Sequence, residues 1–87
     1  MKHLASRTFW RLYDALPENV RTQADKSFEL LKQNPGHRSL HFKKIEGTND
    51  LWSVRIGSQY RALARAVGDE MRWHWIGTHN EYNRRLT

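Results

Sequence analysis

From residue 40 onward the chain alternates short β-patterned runs with connections too short for anything but hairpins. The runs cover 40–45, 51–56, 60–67 and 71–76, and between them stand Gly47-Thr-Asn-Asp50, Gly57-Ser-Gln59 and Gly68-Asp69. Glycine supplies the positive φ that tight turns need, and a parallel return takes about a dozen residues or more, so these strands run antiparallel. Each run carries Arg, Lys or His and no acid, whereas Glu46, Asp50, Asp69 and Glu70 sit in the connections. A sheet built this way presents cations and aromatic rings together, which suits a phosphate backbone and its bases better than another apolar surface.

The first half reads as two helices. Phe9, Leu12, Tyr13 and Leu16 recur at helical spacing behind Ser6, a helix N-cap, with Arg7, Arg11 and Asp14 on the other side. Pro17 closes this helix and opens the next, whose stripe of Val20, Ala24, Phe28 and Leu31 ends at Asn34-Pro-Gly36. Such a hairpin cannot bury both stripes by itself, so it needs a sheet to cover. The expected fold is α+β, an N-terminal helical hairpin packed on one face of a four-stranded antiparallel sheet. It forms a single domain over residues 1–87, a length that supports one modest core.

Parity decides which side chains share a face. A three-residue turn at 57–59 sets Arg55 opposite Arg61 and puts Trp52, Val54 and Ile56 on the side of Tyr60, Ala62 and Ala64; a two-residue turn sets Ile56 opposite Arg61. A Gly68-Asp69 turn pairs Ala62 with Trp75 and Ala64 with Trp73, small against large, and places Leu63 beside His74 and Arg65 beside Arg72. This agreement favours the odd turn. Trp73 and Trp75 then belong to the core, Arg55, Arg61, Arg65, Arg72 and His74 to the open face, and Trp10 beside the first apolar stripe is an exposed anchor for a partner. In the first run Phe42 and Ile45 point inward, leaving His41 and Lys43, with Lys44, as a charged edge that discourages association.

Two fates are open for the arginine pair. Arg55 and Arg61 splay into water or pair with Glu81 or Asp50, or they clamp a phosphate through parallel guanidinium hydrogen bonds. His79, after the last run, extends toward the tip that holds Gln59 and Tyr60. There the imidazole either transfers a proton beside the clamp or caps the strand end, and Tyr82 stacks on a base, donates a proton or packs on the sheet.

The formal net charge of +6, from 15 basic and nine acidic side chains, serves solubility alone or marks a nucleic-acid or acidic protein partner. Without cysteine there is neither a disulfide nor a thiolate metal site, and the five histidines lack paired zinc spacing. No metal and no cofactor are expected. No apolar run approaches the roughly 20 residues of a membrane span, and Met1-Lys-His-Leu-Ala-Ser-Arg7 has no hydrophobic signal core, so the expected setting is the cytoplasm, with no membrane partner.

Two helices, then Leu40-His-Phe-Lys-Lys-Ile45, then Leu51-Trp-Ser-Val-Arg-Ile-Gly57 with Tyr60-Arg61, then Gly77-Thr-His-Asn-Glu-Tyr82, resemble the RelE/ParE superfamily of bacterial type II toxins over about residues 6–86. The Thr-His-x-Glu-Tyr ending is similar to the HigB-like branch. The resemblance implies an endoribonuclease that enters the ribosomal A site and cuts mRNA, held inactive by a cognate antitoxin whose complex binds operator DNA. Carried over by position, Arg61 is the transition-state clamp, Arg55 a second cation that acidifies the attacking 2′-hydroxyl, His79 the general acid and Tyr82 the base-stacking ring. His41, Lys43, Lys44, Arg65, Arg72, His74, Arg84 and Arg85 would face RNA. Two departures stand out: residues 1–6 read poorly as the first strand that many members have, and Ser53 stands where RelE-type catalysts often carry Lys, which leaves the general base unassigned. The ParE branch shares the fold and inhibits DNA gyrase, and a non-catalytic nucleic-acid-binding module is a third reading.

Overall fold

The computed structural model describes residues 1–86. The order of elements is β1 (Lys2–Ala5), α1 (Arg7–Asp14), α2 (Glu18–Gln33), β2 (Lys43–Lys44), β3 (Leu51–Ile56), β4 (Tyr60–Val67), β5 (Glu70–Thr78) and α3 (His79–Leu86), with one 3₁₀ turn at Arg38–Leu40. The strands form one mixed sheet in the order β1-β5-β4-β3-β2. β1 runs parallel to β5, and all other neighbours are antiparallel.

The helices start and stop where local chemistry directs. The Ser6 hydroxyl accepts from the Phe9 N–H at 3.1 Å at the head of α1, satisfying one of the donors a helix start leaves free. α2 follows Pro17 with Glu18 in its first turn, where a negative charge complements the helix dipole. α1 lies against β5 and α2 against β3. Between them and the sheet, Phe9, Val20, Ala24, Leu31, Val54, Ile56, Ala62, Ala64, Trp73 and Ile76 form the core. Each large side chain there contributes about 1.5–3 kcal/mol by leaving water.

Three expectations need correction. First, the sheet has five strands rather than four and is not purely antiparallel, because a strand precedes the two helices. β1 is four residues long and lacks β-branched residues, so it carries little propensity of its own. It forms because β5 offers it a parallel edge: the Lys2 N–H donates to the Asp69 carbonyl at 2.9 Å and the Ser6 N–H to the Trp73 carbonyl at 3.0 Å. The Trp73 indole N–H also donates to His3 Nδ1 at 3.0 Å.

Second, the run at 40–45 is a strand only at Lys43–Lys44. Leu40 ends the 3₁₀ turn and His41 adopts the left-handed conformation at φ 44°. Phe42 does turn inward, its ring 4.9 Å from that of Trp52.

Third, a bulge interrupts the β4–β5 ladder. Ala64 faces Trp73 and Arg65 faces Arg72 as the pattern requires, but beyond that point Leu63 pairs with Trp75, Ala62 with Ile76 and Arg61 with Gly77. His74 is the extra residue. One inserted residue reverses parity, so Trp75 leaves the core face and joins Leu63 and Ser53 on the opposite side. That side is covered by α3, whose Arg85 guanidinium lies 5.1 Å from the centre of a Trp75 ring.

Candidate active site

The turn at residues 57–59 has three residues, with Gly57 at φ +59°, and Arg55 is the direct cross-strand partner of Arg61. Like charges opposed on a ladder cost roughly 0.2–1 kcal/mol. Sequence reasoning offered Asp50 or Glu81 as relief, and neither supplies it. The Asp50 carboxylate binds Arg65 at 2.6 Å, and Glu81 Oε1 accepts from the Thr78 N–H and hydroxyl, each at 2.9 Å. Among the described residues neither Arg55 nor Arg61 has a carboxylate partner. Arg55 is steadied instead by donating from Nε to the Gly57 carbonyl at 2.9 Å.

α3 brings the other two candidates to this pair. Thr78 ends β5 and His79 begins the helix without an intervening loop. The His79 N–H donates to the Gln59 carbonyl at 2.6 Å, which ties the helix start to the tip of the β3–β4 hairpin. Residues three apart share a helix face, and the His79 and Tyr82 rings stack at 6.0 Å with 25° between their planes. The Arg61 guanidinium sits 5.8 Å from the Tyr82 ring centre, within cation–π range. The Tyr82 hydroxyl points at Ser53 Oγ at 3.5 Å. Arg55, Arg61, His79 and Tyr82 therefore form one cluster.

Burial, opposed by Tyr82 and reinforced by Arg55, lowers the Arg61 pKa below its ordinary value. A guanidinium remains charged under such a shift. The arrangement can bind an anion between two cations, offer an imidazole for proton transfer and stack a flat ring on Tyr82.

The remaining cations divide by neighbourhood. Arg65 and Arg72 share the face of the arginine pair, but each is an exposed ion pair, Arg65 with Asp50 and Arg72 with Glu70 at 2.8 Å. His74 is half-buried, and desolvation lowers its pKa, with Arg65 and Arg85 adding to the effect against a backbone hydrogen bond at Arg72. Arg84 and Arg85 lie exposed on α3. Lys43 aligns with Ser53, toward the arginine face, while Lys44 aligns with Trp52 and alternates to the other face. His41 is exposed beyond the sheet edge. Among the described residues no three His, Asp or Glu side chains gather as a metal site.

Sequence reasoning missed the parts that hold α3 in place: Thr78, Glu81, Gly77 and the reversed Trp75. A signal for them exists. Trp75-Ile-Gly77 is a continuous run without polar alternation, the pattern of a strand covered on both faces, and Thr78-His-Asn-Glu81 has the spacing of a capping box.

On the opposite side of the sheet an open groove of about 430 Å³ is lined by Leu4, Phe9, Trp10, Tyr13, Phe28 and Trp73, among others. Trp10 and Leu4, 51% and 47% exposed, stand on it.

The fold has solved counterparts. The chain is similar to the RelE toxin in a RelB–RelE antitoxin–toxin complex from Methanococcus jannaschii, at 19% identity and TM-score 0.75 over 97% of this chain and 99% of that one. The isolated RelE toxin of E. coli aligns at 16% identity and TM-score 0.68, over 99% and 98% of the two chains. YafQ of E. coli strain BL21(DE3) aligns at 10% and 0.73, over 93% and 96%. None of the curated proteins matches the chain. Residues 18–84 match the ParE-like toxin domain family, so the chain belongs to that family, within the RelE/ParE superfamily of type II toxins.

Proposed function

We propose that this toxin is a metal-independent, ribosome-dependent mRNA endonuclease. The observation that carries the reading is the direct pairing of Arg55 with Arg61 without a neutralising carboxylate among the described residues. The pair destabilises the free fold and is relieved by an anion such as a phosphodiester.

In the proposed reaction the 2′-hydroxyl oxygen attacks the adjacent phosphorus, the P–O5′ bond breaks, and a 2′,3′-cyclic phosphate and a free 5′-hydroxyl result. Charge builds on the non-bridging oxygens of the phosphorane, where Arg61 donates. Arg55 lowers the pKa of the attacking hydroxyl, whose proton passes to water, and His79 delivers a proton to the departing O5′. Tyr82 stacks on an mRNA base. Lys43, Arg65, Arg72, His74, Arg84 and Arg85 border this face and track ribosomal RNA, with His41 and Lys44 beyond the sheet edge.

The partner is a cognate antitoxin, as in the RelB–RelE complexes from Methanococcus jannaschii, Pyrococcus horikoshii and E. coli. We place an apolar segment of it in the groove beside Trp10, along the open edge of β1. The assembled complex binds operator DNA, and the toxin acts in the cytoplasm. Among the described residues no helix is long and apolar enough to cross a membrane.

Expression without antitoxin tests the reading. Growth arrest with new mRNA ends inside translated codons is the expected result. The match to a ParE-like family favours a second reading, inhibition of DNA gyrase. Arrest with intact mRNA and altered DNA supercoiling would establish that one, and harmless expression with purely salt-dependent nucleic-acid binding would indicate a binding module.

A further inference from the structure

We propose that Glu81 and Thr78 are positioning residues: their reciprocal hydrogen bonds lock the β5–α3 junction so that His79 and Tyr82 face Arg61. The inference deepens the endonuclease reading and rests on it.

A strand that passes directly into a helix has no loop to set the helix direction, and it leaves the first N–H groups of the helix without partners. Here the Thr78 hydroxyl accepts from the Glu81 N–H at 3.1 Å. Glu81 Oε1 in turn accepts from the Thr78 N–H and Thr78 hydroxyl, each at 2.9 Å. This is a capping box across the junction. His79 lies inside the box, its N–H held by the Gln59 carbonyl two residues before Arg61. Rotation of α3 at this point would carry Tyr82 away from the guanidinium that lies 5.8 Å from its ring, and His79, stacked on Tyr82, would move with it.

The same bonds have an electrostatic consequence. Glu81 is three residues from Thr78 and one from Tyr82, near enough in sequence to serve an arginine of the cluster. Turned back onto Thr78, it leaves Arg55 and Arg61 without a carboxylate and available to an anion. The hydrogen bonds from Thr78 hold the Glu81 carboxyl below its ordinary value, so it stays ionised and accepting.

Gly77 limits where the cap can sit. A Cβ at Gly77 would lie 2.5 Å and 2.8 Å from Trp75 Cζ2 and Cη2 and 3.0 Å from Glu81 Oε1. The indole and the carboxylate thus both lie over the bare backbone opposite Arg61.

The test separates hydrogen-bond geometry from charge. Single-turnover cleavage on programmed ribosomes, ribosome affinity and amide exchange at residues 79–82 are measured for Glu81→Gln, Glu81→Asp, Glu81→Ala and Arg61→Ala. Glutamine at this position can make the same bonds and recovers most of the rate, whereas aspartate keeps the charge but sets its oxygens one methylene back from the Thr78 N–H and hydroxyl. Glu81→Asp and Glu81→Ala should cut about ten- to a hundredfold more slowly, as expected for misplaced groups, with ribosome affinity unchanged and faster exchange at residues 79–82. If Glu81→Gln is as slow as Glu81→Ala, the carboxylate itself is required and positioning by the cap is wrong. If Glu81→Asp and Glu81→Ala cut at the wild-type rate while Arg61→Ala does not, the inference fails and the endonuclease reading stands. Wild-type cleavage by Arg61→Ala overturns both.

Discussion

Arg55 and Arg61 face each other across β3 and β4 in direct register, two guanidiniums without a carboxylate partner among the described residues. A fold selected only for stability would place an acid or a neutral side chain at one of these positions. On the proposed endonuclease reading, the pair is half of a charge arrangement that RNA completes.

Removing one member should therefore separate stability from function. Arg55→Gln relieves like-charge repulsion and is expected to leave the free protein equally stable or stabilise it by a few tenths of a kcal/mol. Binding of a short RNA should weaken, and the slope of log affinity against log salt should become shallower by about 0.7. Urea unfolding and a salt titration check both halves; a clear loss of stability would mean that Arg55 is a structural residue.

His3 and Trp73 give a prediction about β1. The Trp73 indole is 2% exposed, and its N–H donates to His3 Nδ1 at 3.0 Å. His3→Ala leaves that donor buried without its acceptor and should cost about 1–3 kcal/mol. His3→Asn offers an oxygen in its place and should recover part of the loss, measured by denaturant unfolding.

Burial of His3 also makes stability depend on pH. Burial lowers the His3 pKa below 6.5, with Lys32 and the N-terminal amine adding to the effect; burial also lowers that of His74. Both groups favour the neutral form in the folded state, so the unfolded chain takes up protons first. Stability is greatest above the ordinary histidine value and falls as the pH drops through 6.5 toward the lower folded values. Thermal unfolding from pH 8 to pH 5 should show this decline, and His3→Asn should make it shallower.

Much of this was legible in the residues and some was not, for physical reasons. The three-residue turn at 57–59 and the alternation on either side were enough to place Arg55 opposite Arg61. The same logic failed at Trp75, because strict alternation has no means of registering the bulge at His74. β1 escaped detection because its stability comes from β5 and the His3–Trp73 bond rather than from its own four residues. His79 and Tyr82 were readable as candidates, but the approach of Tyr82 to Arg61, with His79 stacked on its ring, depends on α3 beginning directly at the end of β5. The Thr78–Glu81 spacing that makes this possible was present in the chain and was not read as a helix start.

The groove beside α1 predicts where neutralisation occurs. Trp10→Glu and Leu4→Glu place charge on a half-exposed surface of the free protein, so the chain should still fold, less the edge contacts that Trp10 makes with Phe9 and Tyr13. Antitoxin affinity should fall at least tenfold while mRNA cleavage by the free toxin persists. Calorimetric titration with the neighbouring gene product checks this, and unchanged affinity would move the antitoxin elsewhere.

The central claim is that the arginine pair and α3 form a site for RNA cleavage, and single-turnover cleavage of mRNA on programmed ribosomes tests it most directly. Arg61→Ala removes a donor to the phosphorane and should raise the barrier by about 2.7–4 kcal/mol, a hundred- to a thousandfold loss in rate, with ribosome affinity nearly unchanged. His79→Ala should also slow the step and remove one limb of its pH profile. Both variants cutting at the wild-type rate while folded would contradict the account and leave the cluster as a docking surface alone.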